Sequence, residues 1–97
     1  MHYHFEWDAF KARANASKHG VTFEEVKSVF SDRWAIEAYD WGHSLHEERL
    51  LITGMSDHNR LLMVAFTLRD FETVRIISAR KANQNEERAY EENLRNP

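Results

Sequence analysis

The residues best suited to chemistry sit toward the two ends of the chain. Near the start it reads Phe5-Glu6-Trp7-Asp8, then Lys18-His19-Gly20-Val21 and Phe23-Glu24-Glu25. Near the finish it reads Arg75-Ile76-Ile77-Ser78-Ala79-Arg80, followed by Glu86 and Tyr90. A β-forming run thus ends in arginine, and the helical segment after it carries a carboxylate and a phenol at i and i+4, on one face. Guanidinium forks match phosphate oxygens in bidentate geometry. A carboxylate or an imidazole can carry the proton that such chemistry must move. The inventory suits phosphate chemistry whose positive charge comes from side chains.

Each of these residues also has an ordinary structural reading. Arginines on strands deter edge-to-edge aggregation. Glu86 can cap its own helix, and Tyr90 can pack with its hydroxyl in water. Lys18 and His19 close a helix, where cations complement the dipole. Strict alternation along the last strand sets Arg75 with Ile77 on one face and Val74, Ile76, Ser78 and Arg80 on the other. Arg49 and Arg69 lie at the ends of two earlier β-forming runs. Arg60 opens a run with no helix carboxylate after it, so it is expected to lie outside the site.

Metal and cofactor chemistry find little support. His2 and His4 are two apart and His43 and His46 three apart, neither an established ligand spacing, and there is no cysteine. The three glycines are scattered, so no phosphate-cradling loop exists. No metal and no cofactor are expected.

The elements that must position these residues follow from patterning. Tyr3 to Glu6 reads as a short strand. Asp8 is a plausible N-cap for a helix over residues 9–19, closed by Gly20 in the left-handed C′ position. Phe10, Ala14 and Ser17 are its expected inner stripe. Thr22 and Glu25 fit a capping box and Val21 with Val26 a hydrophobic staple, opening a second helix through Phe30. Residues 34–39, 48–53, 60–69 and 73–80 suit strands. Ser56-Asp57-His58-Asn59 and Asp70-Phe71-Glu72 are polar hairpin connections. The run Leu61 to Phe66 predicts a central strand covered on both faces. Residues 83–96 predict a polar helix with Asn83 and Glu86 as its capping box. The expected architecture is α+β: an antiparallel sheet with two N-terminal helices packed on it and a C-terminal helix.

Ninety-seven residues without a linker or repeat predict one domain over 1–97. The composition, 42% hydrophobic and 30% charged, is that of an ordinary globular protein. No apolar run approaches the roughly 18 residues of a membrane span. The N-terminus lacks the sections of a signal peptide, so the cytoplasm is the expected location. Net charge is −3, yet the stretch from Arg60 to Lys81 holds Arg60, Arg69, Arg75, Arg80 and Lys81 against only Asp70 and Glu72. A local basic surface on an acidic protein follows. Trp41, Leu45 and Phe71 are large apolar residues where loops should be polar, and they suit a partner interface.

Taken together, Phe5-Glu6-Trp7-Asp8, Lys11, Asn15, Lys18-His19-Gly20-Val21, Phe23-Glu24-Glu25, Phe30, Asp32, Glu48-Arg49, Gly54, Val64, Phe66-Thr67, Arg75 to Arg80, Glu86 and Tyr90 resemble the BrnT family of bacterial type II toxins, within the RelE/ParE-like group. The resemblance runs from Phe5 to Glu91. It implies a RelE-like α+β fold and a ribonuclease that arrests translation. It also implies a cognate DNA-binding, BrnA-like antitoxin, a hetero-oligomer with it, and operator contact only through that partner. The mechanism expected is metal-independent cleavage through the RNA 2′-hydroxyl. Arg49 and Arg80 would stabilise charge, Glu86, His19 and Tyr90 compete as base and acid, and Lys18 and Arg75 position the RNA backbone. Trp41, Leu45 and Phe71 would meet the antitoxin. The rival reading is a non-catalytic module that pairs with an antitoxin and co-represses its operon, which the acidic balance favours.

Overall fold

Asp8 starts the first helix. Its carboxylate accepts the Lys11 amide at 2.9 Å, and α1 (Ala9–His19) ends at Gly20, whose φ of 67° is left-handed. Thr22 caps α2 (Phe23–Val29) by accepting the Glu25 amide at 3.2 Å. Only half of the expected capping box forms, because the Glu25 carboxylate is drawn away to Arg60. The computed structural model describes residues 3–96; His2, one of the paired histidines, lies outside them.

Five strands make one sheet: β1 (His4–Glu6), β2 (Ile36–Tyr39), β3 (Leu50–Met55), β4 (Leu61–Arg69) and β5 (Thr73–Lys81). Their order is β1-β5-β4-β3-β2. The last four form the expected antiparallel meander, and β1 adds parallel to β5 with Glu6 opposite Arg75. β4 is central, and Leu62, Val64, Ala65, Phe66 and Thr67 are all buried. α3 (Gln84–Arg95) closes the chain with the predicted Asn83–Glu86 capping box. β2 and β3 begin two residues later than predicted. Asp32 ties the Trp34 amide into a turn, and Ser44 Oγ accepts the Arg49 amide, so both approaches are held as loops.

One sheet face packs on α1 and α2. Val64, Phe66, Val74, Ile76 and Ile52 meet Val21, Phe23, Val26 and Val29 there, with Phe5, Trp7, Ala12 and Phe30 around them. The inner residue of α1 is Asn15, with Phe10 72% exposed, against the expected stripe. The reason lies in β5. β1 pairs only with residues 73–75, so the rest of that strand edge is open. The Asn15 amide closes it, donating to Ala79 O at 2.9 Å and accepting from Ala79 N at 3.0 Å. Gly54 belongs to the same packing, since a Cβ there would lie 2.9 Å from Ala35 Cβ and 3.0 Å from Val29 Cγ1.

A bulge sets the other face. Ala65 pairs with Ser78 but Phe66 pairs with Ile76, leaving Ile77 as an extra residue. Alternation therefore slips by one along β5. Val74 and Ile76 before the bulge and Ala79 after it all reach the core. Arg75, Ser78 and Arg80, predicted to divide between two faces, share the face away from it.

Candidate functional site

That second face carries arginines in a row. Glu6 of β1 stands opposite Arg75 of β5, and Arg75 opposite Thr67 of β4. Continuing the β3–β4 register by one residue from Leu50–Phe66 sets Arg49 opposite Thr67. The row Glu6–Arg75–Thr67–Arg49 crosses four strands at about 4.8 Å per step. Arg75 Nη1 donates to Glu6 Oε2 at 2.8 Å, and Arg69 Nε lies 3.6 Å from the same oxygen. Thr67 Oγ1 and Arg49 Nε are buried without a hydrogen-bond partner. An orphaned buried donor costs about 1–3 kcal/mol, so this pair marks a place where the fold gives up stability. A groove lined by His43, Leu45, His46, Glu47 and Arg49, about 330 Å³ in volume, continues the row on the β3 side.

The remaining site residues lie elsewhere. Arg80 shares the face but stands five residues beyond Arg75, roughly 15 Å along the strand. Its Nη1 and Nη2 each donate at 2.8 Å to the two Glu86 oxygens, and the Asn83 amide donates to Glu86 Oε1. The Arg80 bonds hold the Glu86 carboxyl below its ordinary value against the opposing push of burial, with Asn83 adding to them. The same bonds raise Arg80. Tyr90 shares a helix with Glu86 but is turned away and buried, its hydroxyl donating to Asp32 Oδ2 at 2.6 Å. Burial first and Asp32 second push its phenol up to about 12. Asp32 also accepts the Met55 amide at 2.7 Å and the Trp34 amide at 3.0 Å. Burial alone would raise the Asp32 carboxyl, but these three donors hold it low. Tyr90 thus latches α3 to the end of α2 and to β3.

Lys18 and His19 border a third place, a groove with Lys11, Asn15, Ile77 and Ser78 beside the bulge. Trp41, Leu45 and Phe71 are 84%, 87% and 93% exposed. All three lie in loops at the sheet end that carries Arg49 and Arg69. Phe71 and its neighbour Asp70 both hold positive φ, 70° and 47°, in the β4–β5 turn. A bulky residue in that region is strained and calls for a reason. Among the described residues no group of three or more His, Cys, Asp or Glu is placed to hold a metal ion.

The fold gives four residues contacts that the sequence did not assign to them. Glu6 reads as the last residue of a strand, and only its pairing with β5 brings it to Arg75 and Arg69. Thr67 looks like an ordinary strand threonine. Glu25 and Arg60, far apart in sequence, form a buried ion pair. Arg60 Nε donates to Glu25 Oε2 at 3.0 Å, its Nη2 bonds Glu25 Oε1, and Ser56 Oγ donates to Oε2 at 2.7 Å. The Arg60 bonds hold the Glu25 carboxyl low against its burial.

Fold and face define a small α+β domain that spreads arginines over the sheet face away from α1 and α2, two of them paired with carboxylates. Comparison with known proteins gives that class its family. A model described as the ribonuclease toxin BrnT of a type II toxin–antitoxin system matches residues 7–86, and the chain belongs to that family. Such a toxin has an antitoxin partner. Among solved structures the chain is similar to the Brucella abortus ribonuclease toxin BrnT, with a TM-score of 0.62 and 24% identity over 84% of this chain and 99% of that one. At that identity the likeness speaks to the fold. No curated protein matches the chain. No helix among the described residues is long and apolar enough to cross a membrane.

Proposed function

We propose that the chain is an endoribonuclease that cuts RNA through its 2′-hydroxyl, without a metal ion, and so inhibits translation in the cytoplasm. The observation that carries this reading is the set Arg49, Arg69 and Arg75 on the sheet face away from α1 and α2, with a carboxylate in hydrogen-bond contact with one of them. Preorganised guanidinium groups can meet the charge that gathers on a pentacoordinate phosphorus, the part a metal would otherwise play. Arg75 and Arg49 are assigned to the phosphates, with Lys18 on an outlying stretch of backbone. Arg80 bears on the site through Glu86 and the start of α3. Of the proton carriers, Glu86 and Tyr90 are engaged by Arg80 and Asp32, and His19 borders the groove beside Ser78.

Trp41, Leu45 and Phe71 are assigned to a DNA-binding antitoxin, which would cover the arginines from the loop end and link the toxin to operator DNA. Exposed apolar anchors beside a charged surface are what such a partner needs.

The test is single-turnover cleavage of a labelled single-stranded RNA pool, free and ribosome-engaged, with EDTA present or absent and salt varied. Cutting should persist in EDTA and stop when the 2′-hydroxyl at the cut site is replaced by hydrogen. With three to five phosphate contacts, log binding should fall against log salt with a slope of roughly −2 to −3.5. Full loss in EDTA restored by a divalent ion overturns the metal-free mechanism. No cutting of either substrate, with antitoxin binding intact, would favour the non-catalytic module, the reading that the net charge of −3 supports.

A further inference from the structure

We infer that Glu6 is the proton acceptor of the cleavage reaction, with Arg75 beside it holding the phosphate under attack. This assignment rests on the ribonuclease reading above and deepens it. Phe5 is packed in the core, so alternation turns Glu6 to the open face at the end of β1. Its Oε2 is occupied by Arg75 at 2.8 Å and approached by Arg69 at 3.6 Å. Among the described residues its Oε1 has no partner, so one oxygen is fixed and the other is free to accept.

Glu86, the carboxylate paired with Arg80 on the same sheet face, is built differently. Both of its oxygens are taken by Arg80, and one also by the Asn83 amide, so taking a proton would undo the helix cap. Glu6 caps nothing. Its side chain is 40% exposed, and Arg75 is 34% exposed, so substrate can reach both. Two arginines flank the carboxylate and Arg49 lies further along the row, so these four side chains together are net positive and an anion is drawn to them despite Glu6. The buried Thr67 hydroxyl and Arg49 Nε continue the row as donors without partners.

Glu6 takes the proton of the RNA 2′-hydroxyl as that oxygen bonds to the adjacent phosphorus. The bond from phosphorus to the 5′-oxygen breaks, and the leaving oxygen takes a proton from water. The products are a 2′,3′-cyclic phosphate and a 5′-hydroxyl, and Glu6 returns its proton to solvent.

The experiment compares wild type, Glu6→Gln and Glu6→Asp on the labelled RNA pool, free and ribosome-engaged, under single-turnover conditions across pH. Binding is measured in parallel on RNA whose 2′-hydroxyls are replaced by hydrogen. E6Q should cut at least about 100-fold more slowly, the low end of what a positioned base supplies. It should bind the uncleavable RNA as tightly as wild type or more tightly. The wild-type rate should fall in acid with a one-proton slope. E6Q should lack that limb, and E6D should recover part of the rate. E6Q cutting at the wild-type rate overturns the assignment and leaves the ribonuclease reading standing. Loss of binding together with cutting makes Glu6 a scaffold for Arg75 and also overturns it. A wild type that cuts neither RNA overturns both.

Discussion

Replacing Arg60 by alanine is expected to cost the fold about 3 kcal/mol, the lower end of the range for removing one partner of a buried ion pair. The Glu25 side chain is 1% exposed and Arg60 28%, so the substitution strands a carboxylate where water scarcely reaches. Two features keep the cost at that lower end. Ser56 Oγ still donates to Glu25 at 2.7 Å, and His58 Nδ1 lies 3.3 Å away. Against them, the bond from Arg60 Nη2 to Gly20 O at 3.0 Å is also lost. For a domain of this size each kcal/mol moves the melting temperature by about 4–8 °C, so Arg60→Ala should melt about 12–24 °C lower. The pH dependence carries the diagnosis. In the wild type Arg60 holds Glu25 below its ordinary value, so the pair's contribution is present at neutral pH and lost as pH falls through the lowered value. Without Arg60, only Ser56 and His58 oppose burial, and Glu25 protonates more readily than in the wild type. The gap between wild type and variant should therefore narrow as pH falls into the acid range, first as Glu25 protonates in the variant and then as it protonates in the wild type. Urea unfolding followed by circular dichroism, at neutral pH and in acid, measures both quantities. The double variant Glu25→Met with Arg60→Met should recover most of the loss, because two apolar side chains strand no charge. A variant within about 0.5 kcal/mol of wild type, or a penalty that acid leaves unchanged, refutes the reasoning.

Two further outcomes are expected. Tyr90→Phe removes the bond to Asp32, worth about 1.5–3 kcal/mol for a charged acceptor, and hydrogen exchange in α3 should quicken. Because the Tyr90 phenol is raised from 10.0 to about 12, the latch holds at neutral pH and is lost as pH rises through that window, in wild type but not in Y90F. Phe71→Gly should stabilise the free toxin by about 1 kcal/mol, because glycine accepts φ of 70° without a Cβ penalty. The same change should weaken antitoxin capture, and hydrogen exchange around Trp41 and Leu45 should slow when antitoxin binds. A Phe71→Gly variant that binds antitoxin unchanged would remove Phe71 from the interface.

The elements were legible because each carries its own local chemistry. Asp8 and Gly20 bound α1, Thr22 opens α2, and Asn83 with Glu86 opens α3, at the residues the patterning names. The apolar run through Phe66 announced a central strand. What stayed hidden was set by pairing. The bulge at Ile77 has no sequence mark, yet it decides that Arg75 and Arg80 share a face. Asn15 looks like an outer helix position until an open strand edge asks for an amide. Arg60 reads as lying outside the site for want of a carboxylate after it, and its partner lies thirty-five residues earlier in the chain. The candidate site was half visible. Arg49 and Arg75 could be named from residue type, but Glu6, Arg69 and Thr67 gain their meaning from the strands beside them.

The pairing of β1 with β5 joins residues sixty-nine positions apart. Glu6 leaves the ribosome early and Arg75 late, so the row does not exist on a growing chain. A product that stops before β5 has α1 and α2 but lacks α3, lacks Arg75, the partner of Glu6, and lacks Ala79, which Asn15 needs to seat α1. Contacts of such long separation form only after the loop between them closes. The arginine row is therefore assembled only once nearly the whole chain has been made.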